Sequence, residues 1–469
     1  QFYGIEYEEF PCQIAQVGLL LMKHQMDKEV SNYFGLNLID FPIKETATIV
    51  HGNALRIDWK SIVSKEKLHY IIGNPPFIGF TYMSPEQKED MKTVFNETKC
   101  VGVLDYVSAW YKTAAEFIQW TMIECAFVST NSICQGEQVA ALWDLLLQKQ
   151  IHINFAYQTF KWSNEAKGKA AVHCVIIGFS CAPQFKRKMI FKDGEIGKEV
   201  KNINPYLVDA PNVVVKSRSS KAHKELDLVW GNKPVDGGFL IIEANEIEEF
   251  LQKEPGAEKY VRKLTGAKEY INRLDRYCLW LVGASPLELR KLPLVMERVQ
   301  NVRKFRLASP KVPTNKYAEF PTLFMEIRQT DFNYIIIPST SSEKRHYIPI
   351  GFMSAEYICN NSVHMLPNAT LYHFGVLTSS MHMAWMRTVA GRLEMRYRYS
   401  KDVVYNNFPW PEPTVQQRSE IERFAQSVLD ARLLYPDCSL ADLYDPDSMP
   451  VELTKAHQQL DRAVEKAYG

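Results

Sequence analysis

The chain has 469 residues, enough for two or three domains with ample buried core. Hydrophobic residues make up 46% and charged residues 23%, which excludes a disordered or fibrous chain. Net charge is +1, so the overall balance names no partner, yet residues 301–411 carry 13 Lys+Arg against 7 Asp+Glu while 412–469 carry 6 against 11. A basic segment beside an acidic tail fits a nucleic-acid partner, and a solvated charged face equally well. The nine cysteines form no CxxC pair and no ligand-spaced His/Cys cluster, as expected of reduced thiols in a cytoplasmic protein without a zinc site. No apolar run reaches the roughly 18 residues of a membrane span. The sequence begins at Gln1 inside an apolar strand pattern, as though cut from something longer.

Residues 1–185 alternate short apolar strands with amphipathic helices. Strands are expected at 2–5, 48–50, 69–72, 126–129 and 172–179, with helices at 11–26 and around 106–120. That order implies a mostly parallel sheet covered on both faces, with ligands bound beyond the carboxyl ends of its strands. Residues 186–204 read as a polar connector. Residues 205–411 mix strands (239–242, 334–337, 347–350) with helices (244–252, 285–302), an α+β pattern closed by Pro409-Trp410-Pro411. Two helices, 415–434 and 449–468, make a C-terminal helical segment over 412–469.

The sharpest chemical signal is an apolar strand running into Asn74-Pro75-Pro76-Phe77. The Asn74 side-chain oxygen and the Pro75 carbonyl can each accept one hydrogen of an exocyclic amino group. That pairing holds the nitrogen lone pair toward an electrophilic methyl group. Prolines remove donors and lock the turn. Phe77 offers a flat face for a planar ring, a contact worth roughly 1–3 kcal/mol. Upstream, Gly4-Ile5-Glu6 puts an acid at a strand end, where it suits the hydroxyls of a ribose. Gly52-Asn53-Ala54-Leu55 follows another strand; Asn53 suits an adenine edge with Ala54 and Leu55 packed beside it, and it suits an Asx turn as well.

With these segments the sequence resembles amino-methylating, S-adenosylmethionine-dependent DNA methyltransferases whose catalytic domain precedes the target-recognition domain. More narrowly, it resembles the MmeI-like branch of combined restriction–modification enzymes. The resemblance continues through residues 104–111, 129–138 and 159–168, and through 391–392 to Tyr405-Asn406-Asn407-Phe408-Pro409-Trp410-Pro411. It implies a Rossmann-like class I methyltransferase sheet over 1–185, incomplete at its N-terminus. An α+β target-recognition domain over 205–411 and the helical segment are implied to follow. It further implies adenine-N6 methylation of double-stranded DNA in the bacterial cytoplasm, with the base flipped against Asn74, Pro75, Pro76 and Phe77. Phe160 or Trp162, Phe160 by preference, would complete the stack, and Glu6, Asn53, Ala54 and Leu55 would contact S-adenosylmethionine. Cytosine-N4 methylation and a non-catalytic recognition fragment remain alternatives. The glycine-rich first motif of that family would precede Gln1, so only part of the cofactor site is expected.

Sequence reading is expected from Arg387, Arg392, Arg396, Arg398 and Lys401, interleaved with Tyr397, Tyr399 and Tyr405. Spacing by four puts Arg392 and Arg396 on one face of a surface helix if the segment is helical. Arg328, Lys344, Arg345 and Glu356 flank strands and are candidates for base edges. Asp447, Glu452 and Lys455 crowd too closely in the tail for a metal-dependent nuclease core, and no metal is implied for methyl transfer.

Overall fold

The computed structural model describes residues 2–35, 47–96, 99–162, 172–181 and 187–469. They fall into two compact units, Gln1–Val215 and Lys216–Gly469. Among them no helix is long and apolar enough to cross a membrane, and the eight cysteines whose side chains are described are all free.

The first unit runs β1 (Tyr3–Glu6), α1 (Glu9–Phe34), β2 (Thr48–His51), β3 (Tyr70–Gly73), α2 (Pro85–Phe95), α3 (Ser108–Phe117), β4 (Glu124–Thr130) and α4 (Gly136–Gln148). Then come β5 (His152–Trp162), β6 (Val172–Ser180), β7 (Lys188–Phe191) and β8 (Lys198–Val200). β1 and β2 pair in parallel as a sheet of two, and the other six strands lie in the order β3-β4-β6-β5-β7-β8. The sheet is mixed rather than mostly parallel as expected. β3/β4 and β5/β7 are parallel, while β4/β6, β5/β6 and β7/β8 are antiparallel. Only nine residues separate β5 from β6, fewer than the dozen or so that a parallel crossover needs, and the two strands pair antiparallel. Because β6 opposes both β4 and β5, strands β3, β4 and β5 point the same way. Their carboxyl ends share one edge.

The segment 186–204 is not a bare connector: β7 and β8 extend the sheet there and bury Ile190 and Val200. α1 outruns the expected 11–26 and ends where Gly35 takes φ 65°. α2 starts with a reciprocal cap between Ser84 and Gln87, with Pro85 in its first turn. Tyr111 of α3 pins the core. Its ring stacks on Phe179 of β6 at 5.4 Å and meets Phe127 of β4 edge-on at 5.3 Å, and its hydroxyl lies 2.9 Å from Ser129 Oγ.

The second unit holds two four-stranded sheets and one of three strands. Helix Pro293–Leu307 buries Val295, Val299 and Val302 against the first of these sheets. The helix expected over 285–302 is broken into Pro286–Leu289 and Pro293–Leu307, because Pro293 lacks an N–H and starts a helix instead of continuing one. The strand expected at 347–350 is formed by Gly351–Met353, while Tyr334–Pro338 is a fully buried central strand. Helices Val415–Leu433 and Val451–Tyr468 pack on Leu371–Thr378 at Gly375. A methyl group on Gly375 would stand 2.8 Å from Ile421 and 3.2 Å from Ala425, so only glycine permits that approach.

Candidate functional site

Asn74 is the first residue beyond β3, at the shared carboxyl edge. It is exposed, and among the described residues its carboxamide has no hydrogen-bond partner; Pro75 beneath it is buried and Phe77 half-buried. The loop is held from behind. Tyr106 N–H donates to Ile78 O at 2.9 Å. The neighbouring Asp105 carboxylate accepts from Ser132 Oγ and, at 3.4 Å, from Thr130 Oγ1 at the tip of β4. The segment 104–111 therefore ties the loop after β3 to the end of β4.

A second centre, Asp90 on α2, was not legible as a site residue. This buried carboxylate accepts from Asn53 Nδ2 at 3.0 Å, Tyr106 OH at 2.8 Å and Arg56 Nε at 2.6 Å. Burial, with the Asp90 charge alongside, pushes the Tyr106 hydroxyl far above its ordinary value, so it remains a donor. The signal available in the sequence was an acid set on the apolar stripe of α2, next to Met91 and four residues before Val94.

The Asn53 side chain makes two hydrogen bonds within the protein, one of them the Asx turn that the sequence also allowed. Its Oδ1 accepts from Leu55 N at 2.9 Å, an Asx turn, and its Nδ2 is held by Asp90. The Ala54 N–H of this loop meets no acceptor among the described residues, while Ala54 O accepts from Trp59 Nε1 at 2.8 Å. Glu6 ends β1 opposite His51. One of its oxygens accepts from Glu8 N at 3.1 Å, and the other meets no donor among the described residues. Glu6 and the Ala54 N–H thus suit the ribose and adenine portions of a nucleoside cofactor.

Phe160 and Trp162 lie at the end of β5, their ring centroids 6.1 Å apart, with Tyr157 at 5.2 Å from Phe160. Three inter-strand steps, about 14 Å, separate β3 from β5. Among the described residues neither ring touches Phe77. The segment 163–168 that follows lies outside the described residues.

In the second unit the basic candidates form two groups. Arg392, Arg396 and Arg398 lie on a hairpin, Gly391–Leu393 with Arg396–Arg398, extended by Thr340–Ser341. They are not on a helix. Glu394 takes a left-handed φ of 60° and reverses the chain, so Leu393 pairs with Arg396. Arg392 turns into the protein: its guanidinium donates to Arg387 O at 2.7 Å and Ala390 O at 2.9 Å, 4.0 Å above the Tyr397 ring. Arg387 donates to His346 O, which brings Lys344 and Arg345 to the same corner. Arg396 pairs with Glu394, whereas Arg398 and Lys344 are exposed and their cationic ends meet no partner among the described residues. Lys401 starts the turn Lys401–Tyr405. Arg328 and Glu356 make the second group, since Gln329 Nε2 donates to Ala355 O and Tyr357 O at 3.1 and 3.0 Å. Arg328 itself is drawn to Glu326. Tyr399 and Tyr405 are fully buried and unavailable to a ligand.

Among the described residues no group of three or more His, Cys, Asp or Glu is placed to hold a metal ion. Three family models match in succession: the MmeI DNA-methyltransferase domain over residues 1–192, the MmeI target recognition domain over 209–412 and the MmeI C-terminal domain over 414–469. The chain is 40% identical over 472 residues to DNA methyltransferase A of Bacillus subtilis (strain 168), and all of it aligns with 53% of that protein. It also superimposes over its whole length, with TM-score 0.92 and 49% identity, on 63% of the type IIL restriction-modification enzyme MmeI, solved in complex with DNA. The chain thus spans about half to two thirds of the length of these relatives. It belongs to the MmeI family, and holds that family's methyltransferase, target-recognition and C-terminal domains in that order.

Proposed function

We propose that the protein transfers a methyl group from S-adenosylmethionine to the N6 amino group of adenine within a specific double-stranded DNA sequence. One observation carries the reading: at the carboxyl edge of a methyltransferase sheet, Asn74 presents a carboxamide with no partner among the described residues, beside a proline carbonyl and a half-buried aromatic ring. The target amine is out of reach inside a duplex, so the nucleotide must rotate into the pocket. Stacking on Phe77 and two amine hydrogen bonds, to Asn74 Oδ1 and Pro75 O, offset an unstacking cost of a few kcal/mol.

When bound, S-adenosylmethionine supplies an electrophilic methyl group on a sulfonium. Glu6 would bind its ribose and the Ala54 N–H its adenine ring, with Asp90 and Asn53 fixing the loop that presents that N–H. The two carbonyl acceptors orient the amine for in-line attack and take up positive charge as it develops on nitrogen. Phe160 or Trp162, at the end of β5 three strand positions away, would supply the second stacking face. Arg398 and Lys344, with Lys401, Arg345 and Arg387 around them, would hold phosphates, and Arg328 and Glu356 would approach base edges.

The test is transfer of labelled methyl groups to duplex DNA by the full-length protein, followed by nucleoside analysis. Label in N6-methyladenine supports the proposal and label in N4-methylcytosine replaces the base. No label on any DNA with cofactor saturating would end it.

A further inference from the structure

Most arginines of the second unit that lie near its helix Pro293–Leu307 are consumed by the protein itself. Arg306 is fully buried and donates to the carbonyls of Val235, Pro234, Phe320 and Leu323 at 2.7–2.9 Å. Arg298 donates to Phe239 O and Ile241 O at 3.1 and 2.9 Å, and Arg276 pairs with Glu243 at 2.7 Å. Two arginines are exceptions. Arg290 and Arg303 are exposed, and among the described residues neither guanidinium meets a carboxylate, a carbonyl or an aromatic face.

Both line one groove of about 310 Å³, together with the Gln300 and Thr322 side chains, over an apolar floor that includes Leu289 and Val299. Glu288, two residues before Arg290, is already occupied by Lys259 and Tyr260 at 2.8 and 2.6 Å. Lys291 and Lys304 are exposed beside the two arginines, and Glu297 is the acid left on that stretch of helix. Two unneutralised guanidinium groups facing one concave, partly apolar surface fit a ligand with paired anionic oxygens and an apolar spacer between them. A phosphodiester strand has that composition, with deoxyribose as the spacer.

We infer that the Arg290–Arg303 groove is a backbone-binding site for double-stranded DNA, separate from the candidate base-reading groups. The inference rests on the proposed function, which makes duplex DNA the partner. Each arginine there neutralises about one phosphate and carries no sequence information.

The experiment measures the binding of the full-length protein to a duplex containing its recognised sequence across a range of salt concentrations. It compares the wild type with Arg290→Ala/Arg303→Ala and Arg290→Lys/Arg303→Lys, and with Arg423→Ala, an exposed arginine on another helix, as control. The double alanine variant should lose about two units of the slope of log K against log salt, and tenfold or more in affinity near 0.1 M salt. The lysine variant and the control should retain the slope, and preference among sequences should be unchanged. An unaltered slope in the double alanine variant, at wild-type melting temperature, overturns the inference. So does a selective loss of preference for the recognised sequence, which would make the pair base-reading. If the wild type does not bind duplex DNA at all, the proposed function fails first, and that result is distinct from either.

Discussion

Tyr106 donates its hydroxyl to Asp90 Oδ2 at 2.8 Å, and its own backbone N–H to Ile78 O at 2.9 Å. One residue therefore couples the loop carrying Asn74 to the loop carrying Asn53, since Asp90 also holds the Asn53 carboxamide. A candidate base site and a candidate cofactor site are fixed to each other by three hydrogen bonds.

Removing the acceptor should loosen both loops at once. Asp90→Ala leaves the Tyr106 hydroxyl and the Asn53 amide without partners, at about 1–3 kcal/mol for each group left unsatisfied. Denaturant titration should show a loss of about 2–4 kcal/mol. Tyr106→Phe, which removes a single donor, should lose about half as much or less. Equal effects from the two variants would contradict a shared carboxylate.

Asn74→Ala should separate chemistry from stability. The side chain is exposed and unbonded, so the variant should melt within about 0.5 kcal/mol of wild type. Methyl transfer should fall by about a hundredfold or more while duplex binding is largely kept. Full activity in this variant would remove the amine clamp.

Arg392 and Arg398 should part company although they stand on the two paired strands of one short hairpin. Arg392 is tied to two carbonyls and an aromatic face, and burial lowers its pKa from the ordinary value. Arg392→Ala is expected to cost about 1–2 kcal/mol of stability and to leave the salt dependence of DNA binding alone. Arg398→Ala should do the reverse, with the slope shallower by about one unit. Salt titrations of the two variants decide the matter.

Acid should weaken the protein through its buried histidines. Burial holds His364 and His382 at about 3, far below the usual value. Folded, both stay neutral, whereas the unfolded chain takes up their protons below about pH 6.5. Stability contributed by each is therefore complete above that pH and lost as pH falls toward 3, at about 1.4 kcal/mol per pH unit. His382→Gln should flatten the decline by about one proton, measured as unfolding free energy between pH 7 and pH 5. An unchanged slope would mean the ring is already charged in the fold.

What could be read in advance was local. A strand entering Asn74-Pro75-Pro76-Phe77 announces its own turn, because proline geometry needs no distant partner. The Ser84–Gln87 cap is just as local, but neither it nor the helix it starts was anticipated. Asp90 could not be read, since its donors come from 37, 34 and 16 residues away. Arg392 and Arg396 were ambiguous for a related reason. A spacing of four arises on a helix face, and also when a reversal such as that at Glu394 falls between two paired strands. The Tyr405–Pro411 run was conspicuous, but its residues serve architecture. Tyr405 OH donates to Leu226 O at 2.6 Å, Asn406 Nδ2 to Arg218 O at 2.7 Å and Asn407 Nδ2 to Lys216 O at 3.0 Å.

Those last bonds fasten residues 216–226 to residues 405–407, so the two ends of this stretch of some 180 residues are buckled together. The stretch also answers to the helices that follow it, through Tyr347 OH to Asp461 and Arg432 to Ile350 O. Loops away from both fastenings are free to diverge while the clasp keeps its shape.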